Sequence, residues 1–184
     1  MHYRLLPASG GWGDGISKAS AGQPVGRSGL LPVVWCQRKH NVRRTCVHPY
    51  LIRPEDLEGY RFRETDRCRL AILIDPEHAG HSLTVFLEIH EPGDCVPLHA
   101  HRAVETYFVL RGEGVFHCDG EEVTIRTGDC LMIPPRGKHD FRNPGPGRLY
   151  LLTVMVPNAA FVEQVRAGIP APLDAEDLRV LHSL

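Results

Sequence analysis

The chain has 184 residues, 42% of them apolar and 23% charged, with 21 Lys and Arg against 22 Asp and Glu. This is the composition of one folded domain with a sizeable core, and it excludes generic disorder for most of the chain. No run of about 18 apolar residues occurs, and Met1-His2-Tyr3-Arg4 lacks the apolar core of a signal peptide, so the expectation is a cytoplasmic protein with no membrane partner.

Six cysteines (Cys36, Cys46, Cys68, Cys95, Cys118, Cys130) lie far apart with no C-x-x-C pair. In a reducing compartment they read as free thiols, most of them small buried hydrophobes. The net charge of -1 hides a split. Residues 1-46 carry seven bases (Arg4, Lys18, Arg27, Arg38, Lys39, Arg43, Arg44) and one acid (Asp14), so this segment is +6 and the remainder -7. Up to Gly29 the chain holds seven glycines and follows neither a strand nor a helix period. Residues 1-46 are therefore expected to form a flexible basic, Gly-rich tail before a domain at 47-184. The basic Arg38-Arg44 stretch has no interleaved aromatics and no helix-turn-helix pattern, so a solvated tail is preferred to nucleic-acid binding. The change of composition near Val47 also suits a natural start further along the chain, which N-terminal mass measurement on native protein would decide.

From Leu70 onward, short apolar runs alternate with turn signals at the spacing of an all-β sandwich or barrel. The predicted strands are 70-74, 83-89, 106-110, 115-118, 122-126, 130-133, the neighbourhood of Phe141, and 149-156. Asp119-Gly120 is the dipeptide of a two-residue type I′ hairpin, and Asn143-Pro144-Gly145-Pro146-Gly147 is a wider turn, so the strands are expected to be antiparallel. After Pro157, Asn158 can cap a helix running through Arg166 and closed by Gly168, and Asp174 with Asp177 can open another toward Leu181. Both helices, at about 158-182, are expected outside a barrel at about 70-156.

Two segments carry the chemistry. In the first, His99 and His101 project to one face of an extended chain, and Glu105, past a bend at Arg102-Ala103, starts a strand on which Glu105, Tyr107 and Val109 share a face. The second brings a further imidazole, His139, from a neighbouring strand. Gly93, His99, His101, Glu105 and Gly112 reproduce, residue for residue, the first signature motif of the cupin family, G-x5-H-x-H-x3-E-x6-G. Gly128, Pro134, His139 and Asn143 reproduce the second, G-x5-P-x-G-x2-H-x3-N, except that Arg136 stands where its glycine is usual and the glycine follows at Gly137. The chain thus resembles a small single-domain cupin.

That resemblance implies a double-stranded β-helix, or jelly-roll, barrel in which His99, His101, Glu105 and His139 grip one divalent transition metal (Fe, Mn, Ni or Zn). The donor types agree, since imidazole suits such ions and four protein ligands leave two positions open on a six-coordinate ion. The leading expectation is a metal-dependent, dioxygenase-like oxidoreductase acting on a small organic substrate, with Glu105 and Tyr107 as its catalytic groups. The alternatives are a non-redox isomerase, decarboxylase or lyase, and a small-molecule-binding cupin without turnover. A homodimer is expected by the same resemblance, and no nucleic-acid partner. Tyr107 is weighed between a hydrogen bond to substrate and a place in the core. Phe141 is weighed in the same way. Asn143 is expected to form a turn, Arg142 to point outward, Arg136 and Lys138 to attract an anion or to form a solvated rim, and Cys95 to be a buried structural thiol. His90 and His117, whose inward parity the sequence leaves open, could support the ligands from behind.

Overall fold

A computed structural model describes residues 49-158 and 160-184. The expectations for residues 1-46 and for Cys36 and Cys46 lie outside the described residues. A short 3-10 turn, Pro54–Asp56, leads into eleven strands and two helices. The strands are β1 Gly59–Arg61, β2 Cys68–Ile74, β3 Thr84–His90, β4 Cys95–His99, β5 Val104–Arg111, β6 Glu113–Cys118, β7 Glu121–Arg126, β8 Cys130–Ile133, β9 His139–Arg142, β10 Leu149–Val156 and β11 Ile169–Pro170. The helices are α1 Phe161–Arg166 and α2 Ala175–Leu181. The strands form a seven-stranded sheet in the order β11-β1-β2-β3-β10-β5-β8 and a four-stranded sheet in the order β4-β9-β6-β7. The pairings are antiparallel, as two facing sheets of a jelly roll require. Asp119 and Gly120 both take positive φ (47° and 91°), the type I′ geometry that joins β6 to β7.

The core between the sheets is built from alternating residues of both. Tyr107, Val109, Ile133, Leu149 and Leu151 from the larger sheet pack on Phe116, Ile125 and Phe141 from the smaller. Three strands absent from the sequence expectation have physical reasons. β1 and β11 are too short to show a period, and β4 runs along a sheet edge, where Pro97 removes no needed donor.

The C-terminal helices correct one expectation. α2 does lie outside, with Val180 packing on Ala71, Leu87, Ile89 and Tyr150. α1 instead buries Val162 and Val165 against Leu70, Ile72, Phe86 and Met155. Strand register puts those residues on the same sheet face as Glu105 and Tyr107, so α1 closes one end of the interior. It starts at Phe161 with Ala160 at its N-cap, two residues past the expected Asn158, whose Oδ1 accepts from the Val162 N–H at 3.2 Å. Asp174 and Asp177 form the expected capping box at α2. Asp177, fully buried, also accepts from Arg69, Arg148 and the Tyr150 hydroxyl, tying α2 to β2 and β10. Burial and the Asp177 carboxylate push the Tyr150 phenol up to about 12. Asp177→Ala leaves two guanidinium groups and a phenol facing an empty site. It is expected to cost about 3–5 kcal/mol of stability in guanidinium unfolding, against less than ~1 kcal/mol for removing the exposed Glu113 partner of Arg126.

Candidate metal centre

Both sheets contribute to the site. His99, the last residue of β4, is paired in register with His139, the first of β9, so two imidazoles stand side by side on the smaller sheet. Glu105 comes from β5 of the larger sheet, flanked by Ile133 on β8 and Met155 on β10. His101 sits in the connection between the sheets, before the bend at Arg102-Ala103. The period-2 reading of His99 and His101 thus brings them together although the strand ends at His99.

The four side chains form one group whose ligand atoms all lie within 4.8 Å of one another. His101 Nε2 is 2.8 Å from Glu105 Oε2, and His139 Nε2 is 3.4 Å from the same oxygen. The other ring nitrogens are committed to backbone carbonyls two residues away. His99 Nδ1 meets Pro97 O at 2.9 Å, His101 Nδ1 meets Ala103 O at 3.0 Å, and His139 Nδ1 meets Gly137 O at 2.9 Å. Each Nδ1–H donates to its carbonyl, so each Nε2 is left free as a ligand. His139 Nε2 is buried with no hydrogen-bond partner, and such an orphan is unfavourable unless something fills the space in front of it. Three imidazole nitrogens and a carboxylate oxygen suit a divalent first-row ion, so the residues fit a metal.

Electrostatics point the same way. Burial works against ionisation of Glu105, yet the His101 and His139 imidazoles and the Tyr107 hydroxyl hold its carboxyl down to about 2. Burial pushes the His99 imidazole down, toward its neutral form. His101 is pushed up by its hydrogen bond to Glu105; at His139 burial acts downward, but the same carboxylate prevails and raises it. The short contact between His101 Nε2 and Glu105 Oε2, 2.8 Å, joins two of the four donors directly.

The neighbours sort as follows. Tyr107 is buried against Phe116, ring centroids 4.8 Å apart, so it belongs to the core while its hydroxyl faces Glu105. Phe141 is core as well, and Arg142 points outward. Asn143 is a turn-former: its amide donates to His90 O, Glu91 O and Gly147 O, and its Oδ1 accepts from Gly145 N. Arg136, with φ of 67°, adopts the left-handed conformation that the family reserves for glycine, and its N–H donates to His101 O at 2.7 Å. Arg136 and Lys138 are exposed on the rim. Cys95 is not a buried thiol: it is exposed on edge strand β4 and outside the ligand group. Nor are the other described cysteines fully buried, since Cys130 is exposed and Cys68 and Cys118 are half-buried. His117 is turned away from the site, with its imidazole between Asp140 and Glu122. His90 was not placed by sequence reasoning; it is fully buried beside Cys68, Glu88 and Asp94.

A two-sheet jelly roll with three imidazoles and one carboxylate converging between its sheets defines a class of metal-binding barrels. Residues 86–155 match the Cupin domain family. The oxalate-binding protein of Thermotoga maritima is 32% identical over 107 residues, which span 57% of this chain and 88% of that protein. A crystal structure described as a predicted oxalate decarboxylase from Thermotoga maritima superposes with a TM-score of 0.53 at 27% identity, covering 59% of this chain and 99% of the other. Gentisate 1,2 dioxygenase 1 of Aquipseudomonas alcaligenes is 34% identical over 87 residues, 44% of this chain and 25% of that enzyme. The chain belongs to the cupin superfamily. Among the described residues no helix is long and apolar enough to cross a membrane.

For an ion held by these four groups, His101→Ala is expected to abolish stoichiometric metal in the purified protein, measured by elemental analysis. Because Glu105 raises His101 and His139, protons compete with the ion up to and above the usual imidazole range. Metal affinity at this site is therefore expected to go on strengthening as pH rises above about 6.5, the value at which model imidazoles titrate.

Proposed function

We propose that His99, His101, Glu105 and His139 hold one divalent transition metal, and that the chain is a metal-dependent oxygenase acting on a small organic acid. The observation that carries this reading is the convergence of the four side chains, with the buried His139 Nε2 making no well-formed hydrogen bond and standing 3.4 Å from Glu105 Oε2. A bound redox metal would supply the sites at which substrate and O₂ meet, with two positions left open by the four protein ligands. The chain's own residues set the rest. Backbone carbonyls of Pro97, Ala103 and Gly137 fix the imidazole tautomers, Tyr107 steadies the Glu105 carboxylate through its hydroxyl, and Ile133 and Met155 beside Glu105 make the adjacent wall apolar. Tyr107 and Glu105 are the groups this reading assigns to proton handling.

The organic-acid class rests on the printed names of the relatives: oxalate for one and gentisate for another, both carboxylates able to bind an ion directly. A second reading, binding without turnover, is favoured by one observation: the oxalate-binding relative is matched over nearly its whole length, the dioxygenase over a quarter. A chelating acid that fills both open positions would leave none for O₂. The two readings separate by metal exchange. Protein loaded anaerobically with Fe(II), Mn(II), Ni(II) or Zn(II) is given oxalate, gentisate and related acids, and O₂ uptake is followed. Uptake confined to redox metals supports the oxygenase. Equal turnover with Zn(II) transfers the reading to Lewis-acid chemistry, and tight binding with no turnover supports the binding module. Metal-free protein is expected to bind none of these acids, because the wall beside the ligands offers them apolar side chains.

We also place the chain in the cytoplasm as a homodimer. The free thiols of Cys68, Cys95, Cys118 and Cys130 support the reducing compartment. An apolar hollow of about 580 Å³ over the larger sheet, lined by Tyr50, Leu51, Leu73, Val85 and Leu152 among others, supports self-association. Sedimentation at micromolar concentration is expected to give twice the chain mass of 20.6 kDa, and a monomer peak would remove the dimer.

A further inference from the structure

The ligand group reaches solvent through His99, which is exposed, and His101, which is half-buried, while Glu105 and His139 are buried. Two segments frame that approach: residues 98–103, which carry both accessible imidazoles, and residues 134–138, the turn before His139. Arg136 ties them together, its N–H donating to His101 O at 2.7 Å. That carbonyl belongs to the peptide between His101 and Arg102, so the backbones of Arg102 and Arg136 adjoin across one hydrogen bond.

Neither segment contains an acidic residue. Both arginines are exposed, and among the described residues neither has a carboxylate within ion-pair distance, whereas Arg69, Arg126, Arg142, Arg148 and Arg166 each have one. Lys138 belongs to a different contact: its N–H donates to Asp119 Oδ1 at 3.3 Å and its carbonyl accepts from Asp119 N at 2.9 Å, beside the turn joining β6 to β7. Two like charges on adjoining backbone with no counter-charge raise the local potential, and an arriving anion lowers it. Arg136 also holds a φ of 67°, a conformation that glycine adopts at no steric cost. A side chain kept on such backbone beside a ligand group points to a use for that side chain.

We propose that Arg102 and Arg136 form an anion clamp at the mouth of the metal centre, which holds a second carboxylate of the substrate while the first binds the ion. The inference rests on the organic-acid reading above and narrows it to acids with two anionic groups. Guanidinium suits the task because its planar donors meet a carboxylate in pairs. The clamp adds to the pull of the ion and does not replace it, since exposed ion pairs alone contribute little.

Malate and α-hydroxybutyrate test this, because they share a metal-binding hydroxy-acid head and differ at the far end, carboxylate against methyl. Titrated by calorimetry into full-length Zn(II)-loaded protein at low ionic strength, malate is expected to bind roughly 5- to 20-fold more tightly, and the preference to shrink as salt is added. Arg136→Gly and Arg102→Gln should each lose most of that preference while keeping the affinity for α-hydroxybutyrate and the full metal content. Arg136→Gly should also unfold at no lower a temperature than wild type, since glycine favours this backbone, so its lost preference cannot be ascribed to a damaged turn. Equal affinity of the wild type for the two acids overturns the clamp and leaves the organic-acid reading standing, as does a preference that survives in both variants. If zinc is held at full stoichiometry and neither acid binds, the organic-acid reading falls and the clamp falls with it.

Discussion

A carboxylate buried between two β-sheets is the constraint from which the rest of the site follows. Glu105 is about 4% exposed, and an unpaired charge there would be untenable. The barrel meets it with two imidazoles from different parts of the chain: His101 from the connection between the sheets and His139 from the smaller sheet. The same three residues therefore join the sheets and assemble the donor set. Because the ring nitrogens away from Glu105 are held by backbone carbonyls, the arrangement is rigid before any ion arrives, which lowers the ordering cost of binding one. The long 3.4 Å contact of His139 Nε2 with Glu105, which falls short of a well-formed hydrogen bond, is the local cost of that preorganisation.

Much of this was legible in the sequence because the signals were local. The spacing of His99, His101 and Glu105 fixed which side chains could converge, and Asp119-Gly120 and the Asp174/Asp177 pair announced a hairpin and a helix start through their own backbone demands. What the sequence did not disclose depended on partners distant in the chain. β3 is buried on both faces, so its apolar pattern carries no parity, and only pairing with β2 and β10 shows that His90 points inward beside Cys68. The amphipathic pattern of α1 says that one face is buried, not against which sheet face. Cys95 was misread because burial is common for cysteine in general, whereas its position on an edge strand decided the matter.

Arg136 shows how a motif can be kept in shape while losing its residue. The family glycine serves a left-handed backbone, and Arg136 adopts that conformation at a cost of roughly 1–2 kcal/mol. The hydrogen bond from its N–H to His101 O offsets part of this cost and links the turn before His139 to the connection that carries His101. A Cβ at Gly137 would be tight, 3.2 Å from Pro134 O and 3.3 Å from Cys118 Sγ. The displaced glycine thus eases close packing, and the side chain of Arg136 is in solvent.

The interior has acid–imidazole clusters at both ends and hydrocarbon between them. At one end Glu105 is matched by His101 and His139, and at the other Glu88 and Asp94 are matched by His90; the aromatic run from Phe141 through Phe116 to Tyr107 separates the two. This division follows from the jelly roll itself. In its middle, side chains from the facing sheets interdigitate and leave no room for a hydrated or coordinated group, whereas at the ends polar side chains meet beyond the aromatic core. Charge placed in the middle would have neither water nor a partner sheet's loops to satisfy it. The ends are therefore where this barrel can carry chemistry, and α1, packed across the inner face beside Leu70 and Met155, limits how openly solvent reaches the interior.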